Sequence, residues 1–349
     1  MTTLTRAPAS STVRSPLERF RDGPGVLARD EEAQALWTAA ADATRGGRGV
    51  RPHLLRVAYT SLGGTDEVAC AHLAEAVELL HAAFVVHDDV IDHDDVRRGR
   101  PNVSGTFTAR AVDAGASRAA ARGYGRAAGI LAGDLALVAA TRSFATVPAE
   151  PAVVDALLEL LDRTVALSAA GELRDVRLAL DVDEPSVADA LVVAELKTAA
   201  YSFSLPLSAG ALLAGAAPHV VTTLDRVGRL VGTAFQLQDD LLGVFGDEAT
   251  TGKSVLSDLR EGKMTALVAH ARSTSAWPLI ASSIGDRALT AERAREVREH
   301  LERCGSRAYV AGLVGDHLAS AQALALDAGL PQTVLHGLRT LVADTWRPA

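Results

Sequence analysis

Apolar positions along this chain recur every three to four residues and almost never alternate, the period of helices with one buried face. The pattern predicts helices over residues 31–45, from about Pro52 through Thr60, and from Thr65 as N-cap to Asp92. Further helices are predicted over 123–145, 153–180, 184–214 and 224–245, then from Thr265 and through most of 276–346. Gly46-Gly47, Gly63-Gly64, Pro148, Pro151 and Gly246 punctuate the series. Pro52 suits a first helical turn, whereas Pro206 lies inside the 184–214 pattern and predicts a kink with a freed carbonyl. No stretch reads as a convincing strand, so the fold class is all-α. Residues 1–20 open with a Ser-, Thr- and Ala-rich stretch that predicts a disordered tail, leaving 21–349 as a single helical domain.

Composition sharpens this reading. The chain has 349 residues, 48% hydrophobic but only 4% aromatic, which suits helices better than sandwiches. A formal charge of −8 argues against general affinity for nucleic acid or an anionic membrane. No apolar run of about 18 residues stands out, so no membrane span is expected. Cys70 and Cys304 match no metal or redox spacing and read as buried thiols of a reducing, cytoplasmic compartment.

Candidate chemistry sits at the ends of two apolar helices. One runs through His81 into Asp88-Asp89-x-x-Asp92 and is followed by Arg97-Arg98-Gly99-Arg100. Asp88 and Asp92 fall one turn apart on one face, with His81 two turns back on nearly the same azimuth. The other ends in Phe235-Gln236-x-x-Asp239-Asp240, before a loop with Thr251-Gly252-Lys253 and, later, Lys263. Clustered carboxylates repel one another unless cations compensate, and hard oxygen ligands favour Mg²⁺. Arg48 and Arg51 flank a helix N-terminus, where backbone N–H groups already favour anions. Lys197, next to Thr198 and one turn before Tyr201, lies in an apolar helix and needs an anionic partner. Exposed helix ends and surface ion pairs would explain each feature singly. Together, two acidic clusters facing across a cavity, each with a basic loop, would hold a diphosphate through several divalent cations.

These motifs, in this order over residues 46–270, resemble the trans-type polyprenyl diphosphate synthase family. The resemblance implies an all-helical bundle around a deep central cavity, a homodimer, and Mg²⁺-dependent head-to-tail condensation of isopentenyl diphosphate with an allylic diphosphate. It implies Asp88, Asp92 and Asp239 as chief metal ligands with Asp240 and Asp89 supporting, Lys197 as a catalytic residue, and Thr198, Gln236 and Tyr201 near the reacting carbons or the leaving oxygen. Arg97, Lys197, Gln236, Lys253 and Lys263 would hold the allylic diphosphate, and Arg48, Arg51, His81 and Arg98 the isopentenyl diphosphate. Three positions depart from the family pattern: Gly49 replaces an arginine, Glu172 a glutamine, and Gly243 a third aspartate.

Chain length follows from the residues below the first acidic motif. Phe84, Ala83, Leu80 and Ala76 form a stripe running away from Asp88. Bulky Phe84 beside small Ala83 predicts geranylgeranyl diphosphate as main product, with farnesyl or geranylfarnesyl diphosphate as alternatives. A class I terpene cyclase shares the fold and the first motif, but Asp239-Asp240 and the second set of arginines disfavour it. A non-catalytic partner subunit would tolerate eroded motifs, and here both motifs are present.

Overall fold

The computed structural model describes residues 14–23, 30–180, 182, 184–246, 257–334 and 337. Its elements are α1 (Pro16–Asp22), α2 (Glu31–Ala43), α3 (Val50–Ser61), α4 (Glu67–Ile91), a two-stranded hairpin β1 (Val96–Arg97) and β2 (Arg100–Pro101), α5 (Val103–Asp113), α6 (Arg118–Ala145), α7 (Pro151–Leu178) and α8 (Val187–Val193). A π segment, Ala194–Ser204, continues into α9 (Leu205–Leu213), and α10 (Pro218–Phe245) follows after a turn. After α11 (Ser257–Glu261) come α12 (Ala266–Arg272), α13 (Trp277–Ile280), α14 (Ala291–Arg303) and α15 (Ser306–Asp327).

The bundle is organised about α4. Its inner face buries Leu73, Ala76, Leu80 and Ala83 completely, together with Phe144 of α6, Leu157 and Leu161 of α7 and Leu205 of α9. A second cluster joins α10, through Leu237, Leu241 and Val244, to α12, α14 and α15. Close approach of α6 to α4 depends on glycine. A Cβ on Gly129 would lie 2.3 Å from Val90, and one on Gly133 would lie 2.2 Å from His87.

Several boundaries differ from the sequence-based expectation. Asp66, not Thr65, caps α4, because its carboxylate accepts from the N–H groups of both Val68 and Ala69. Helix α6 starts five residues before Gly123, capped by Ser117, and α10 starts at Pro218, ahead of Leu224. Helix α5 was hidden by its small and polar composition, and β1–β2 is too short to show an alternating pattern. Residues 16–20, placed with the tail on composition, belong to α1. Ser15 and Glu18 make a capping box there, and Phe20 packs on Trp37. Helices α4 and α6 are, by length and composition, apolar enough to cross a membrane, contrary to expectation, and they pack on each other within the bundle. The disruption expected at Pro206 takes the form of the π segment, which lies just before it and holds Lys197, Thr198, Tyr201 and Ser202.

Candidate active site

Two neighbouring helices seat the π segment, and both do so through glycine. A Cβ on Gly171 of α7 would stand 2.4 Å from the Lys197 nitrogen, and one on Gly232 of α10 would stand 2.6 Å from the Ala199 Cα. This packing brings Lys197 to the C-terminal end of α4. Its ammonium lies 2.7 Å from Asp175, 3.0 Å from Glu172 and 3.2 Å from Asp88. Burial disfavours the charge on Lys197, but Asp88, Asp175 and Glu172 outweigh it and raise the pKa, so the lysine stays protonated.

The anionic partner that Lys197 required is therefore three carboxylates, two of them on α7. Neither Glu172 nor Asp175 was assigned a role from sequence. Their signal was present: i,i+3 spacing on one helix face, with Gly171 alongside. Asp88, Asp92 and Glu172 each direct a carboxylate oxygen into one place, all within 4.8 Å of one another.

Cations neutralise this cluster from the other side. Arg97, on β1, donates to Asp89 at 2.5 Å and to Asp88 at 3.2 Å. Lys263 lies 3.2 Å from Asp92 and 3.1 Å from Glu261. For Asp88, burial pushes the pKa up, yet Lys197, Lys263 and Arg97 together hold it below the usual carboxylate range. For Asp89, which is 4% exposed, burial dominates and lifts it to about 6 despite Arg97. The two adjacent aspartates thus differ: Asp88 faces the cluster, and Asp89 turns inward onto Arg97.

The second acidic pair joins through hydrogen bonds. Thr198 Oγ1 donates to Gln236 Oε1 at 2.7 Å, and Gln236 Nε2 donates to Asp240 Oδ1 at 2.7 Å. Asp239 and Asp240 are half-buried on α10. Lys253, assigned to the allylic diphosphate, lies outside the described residues.

A separate basic cluster lies beside α4. Arg51 donates to Ser202 at 2.7 Å and to Tyr201 at 3.2 Å, and its guanidinium sits 4.8 Å from the Tyr201 ring centre. His81 stacks on the same ring at 6.1 Å, and Phe84 meets it edge-on at 5.0 Å. Burial, then the charges of Arg51, Arg98 and Arg97, push the His81 pKa well down, so the imidazole is neutral. Among the described residues, Arg51 Nε, His81 Nδ1 and Glu78 Oε1 are buried without a hydrogen-bond partner. Arg98 has φ 55° and donates to the Arg45 carbonyl at 2.8 Å, which ties the hairpin to the end of α2. Arg48 is exposed beside Gly49, the left-handed N-cap of α3. Of the proposed length-setting stripe, Ala76, Leu80 and Ala83 are fully buried, and Phe84 is half-buried toward Tyr201.

The helical bundle thus gathers carboxylates and cations at one end of α4, with a second cationic cluster alongside, a charge pattern to which divalent cations and anions can both be drawn. The Polyprenyl synthetase family matches residues 34–301. A short chain isoprenyl diphosphate synthase of Methanothermobacter thermautotrophicus is 32% identical, over 80% of each chain. A (2E,6E)-farnesyl diphosphate synthase of Mycobacterium tuberculosis is 32% identical, over 82% of this chain and 75% of that one. The crystal structure of a Corynebacterium glutamicum geranylgeranyl pyrophosphate synthase, complexed with isoprenyl diphosphate and magnesium, superposes with a TM-score of 0.84. It is 30% identical, with 95% of this chain and 97% of that chain covered. The chain belongs to the polyprenyl synthetase family. It is a trans-prenyltransferase that makes short-chain prenyl diphosphates.

Proposed function

We propose that the cluster around Lys197 binds the allylic diphosphate through Mg²⁺, and that the pocket around Arg51 and His81 binds isopentenyl diphosphate. The observation that carries this reading is the convergence of Asp88, Asp92 and Glu172 oxygens within 4.8 Å, ringed by Lys197, Arg97 and Lys263. An all-oxygen donor set fits Mg²⁺, with Asp239 and Asp240 completing it from α10. Several such ions would supply charge compensation for a leaving diphosphate. Lys197, Arg97, Lys253 and Lys263 then stabilise the departing charge, and Gln236 positions it through Thr198. To the metal ligands implied by the family resemblance this reading adds Glu172, supported by the convergence of its carboxylate with those of Asp88 and Asp92.

In the second pocket, Arg51 carries a buried Nε with an unspent donor, and His81 a buried ring nitrogen. Such groups cost free energy unless a ligand meets them, and a diphosphate oxygen meets the arginine. Arg48 and Arg98 would complete the grip. Neutral His81 with Phe84 and Tyr201 gives a dry, aromatic surface that shields an allylic cation from water. The growing chain would run from Asp88 past Phe84 toward Ala83, Leu80 and Ala76, and we propose geranylgeranyl diphosphate as the main product.

We further propose a cytoplasmic homodimer, with residues 16–349 as one domain, since α1 packs into the core through Phe20. Exposed Ile130, Leu131 and Val138 on α6 offer an apolar face for a second copy, and both cysteines are free thiols. The deciding experiment is product analysis by mass spectrometry. Isopentenyl diphosphate would be supplied with each allylic primer, with Mg²⁺ or with excess chelator. Twenty-carbon product formed only with metal is the expected result. Turnover that survives the chelator would overturn the metal assignment.

A further inference from the structure

A second ion network, sharing no residue with the acid cluster, holds the π segment at both ends. On α10, Asp225 accepts from the Ser204 hydroxyl, at the last residue of the segment. Arg229, one turn further along α10, donates to the second Asp225 oxygen at 3.1 Å. The same guanidinium reaches Glu195, in the segment's first turn, at 2.8 Å. Arg163 of α7 closes the network at 3.0 Å from Asp225. The Asp225 side chain is 13% exposed, so its three donors meet it with little water present to screen them. Gly228 belongs to the same device, because a Cβ there would lie 2.6 Å from the Ser204 Cα.

A π stretch is rare and is usually confined to one turn, whereas this one runs for 11 residues. If it slipped to α register, the residues past the slip would turn by about 100° relative to those before it. Lys197 and Thr198 sit near one pinned end, and Tyr201 and Ser202, which hold Arg51, near the other. We infer that Arg229 and Asp225 are positioning residues: Arg229, through Glu195, orients the Lys197 end, and Asp225, through Ser204, orients the Tyr201–Ser202 end. The inference rests on the reading of the two substrate pockets given above.

The test separates the two ends by kinetics. Arg229→Gln, which leaves Ser204 and Arg163 donating to Asp225, should lower kcat on the order of ten-fold, with KM for isopentenyl diphosphate changed less than about two-fold. Ser204→Ala should do the reverse, raising that KM about five-fold with kcat nearly intact. Arg229→Lys, which keeps a charge near Glu195, should recover part of the kcat. Equal loss of the same parameter in both variants, or wild-type kinetics in both, overturns the inference. Should Arg229→Gln fail to fold, Ser204→Ala decides alone, and an unchanged KM refutes it. Lys197→Ala is the control for the underlying reading: wild-type turnover there would discard the pocket assignment itself, whatever the other variants do.

Discussion

Gly171→Ala adds one methyl group to the point where α7 meets the π segment. The new Cβ would stand 2.4 Å from the Lys197 nitrogen and 2.7 Å from the Leu196 carbonyl carbon, about 1 Å short of ordinary van der Waals contact. Both obstacles are backbone, so no side-chain rotation relieves the clash, and the π segment must move away from α7. Overpacking of this kind costs about 1–3 kcal/mol, a fall in Tm of roughly 1–4 °C for a domain of this size. The catalytic cost should be larger. Lys197 is held by contacts of 2.7–3.2 Å to three carboxylates, and a 1 Å misplacement of such a group costs up to about 10²-fold in rate. Scanning fluorimetry and steady-state condensation with labelled isopentenyl diphosphate measure the two effects separately. Gly312→Ala is the matched control, because that exposed helical glycine has nothing within 4 Å of its Cβ position. Relieving its backbone freedom should stabilise the protein by about 0.5–1 kcal/mol with activity unchanged. Wild-type Tm and kcat in Gly171→Ala would refute the claim that contact with α7 sets the position of Lys197.

Asp88→Ala or Asp239→Ala should cut turnover by orders of magnitude while circular dichroism stays native, and near-normal activity in either variant would defeat the metal assignment. Phe84→Ala should lengthen the products and Ala83→Phe shorten them, read by mass spectrometry; unchanged profiles in both would show that another wall sets the length. Glu78 gives a pH test. Burial, opposed by Arg51 and Arg98, raises its pKa above the usual 4.5, so its protonated form is the one the fold prefers. That contribution is complete below about pH 4.5 and is lost as pH rises through the raised value. Glu78→Gln should therefore have a higher Tm than wild type at pH 8, a gap that closes near pH 4.5. A gap that widens on acidification would reverse the assignment.

The acidic motifs were legible because each packs its carboxylates into five residues of one helix, where periodicity alone assigns faces. The same holds for the arginines at the start of α3 and in the hairpin, since turn residues mark those places. Glu172 and Asp175 were harder to see. Their spacing was visible, but nothing local distinguishes an acidic pair that faces solvent from one that faces a lysine on another helix. Pro206 announced a disruption without indicating its form. A freed carbonyl can be met by a kink or by a change of register, and the neighbours on α7 and α10 decide between them.

By itself, then, the sequence determined the helical class, the two acid-tipped helices and the basic turns, because these depend on propensity and on spacing within a few residues. Only the tertiary structure decided which charges meet. Lys197 among Asp88, Glu172 and Asp175, Arg97 between Asp88 and Asp89, and Arg51 under Tyr201 are pairings across 8 to 150 residues of chain. Their geometry depends on how closely glycine lets α7 and α10 approach a π-wound backbone. That distance is set by packing, which no single segment of the chain encodes.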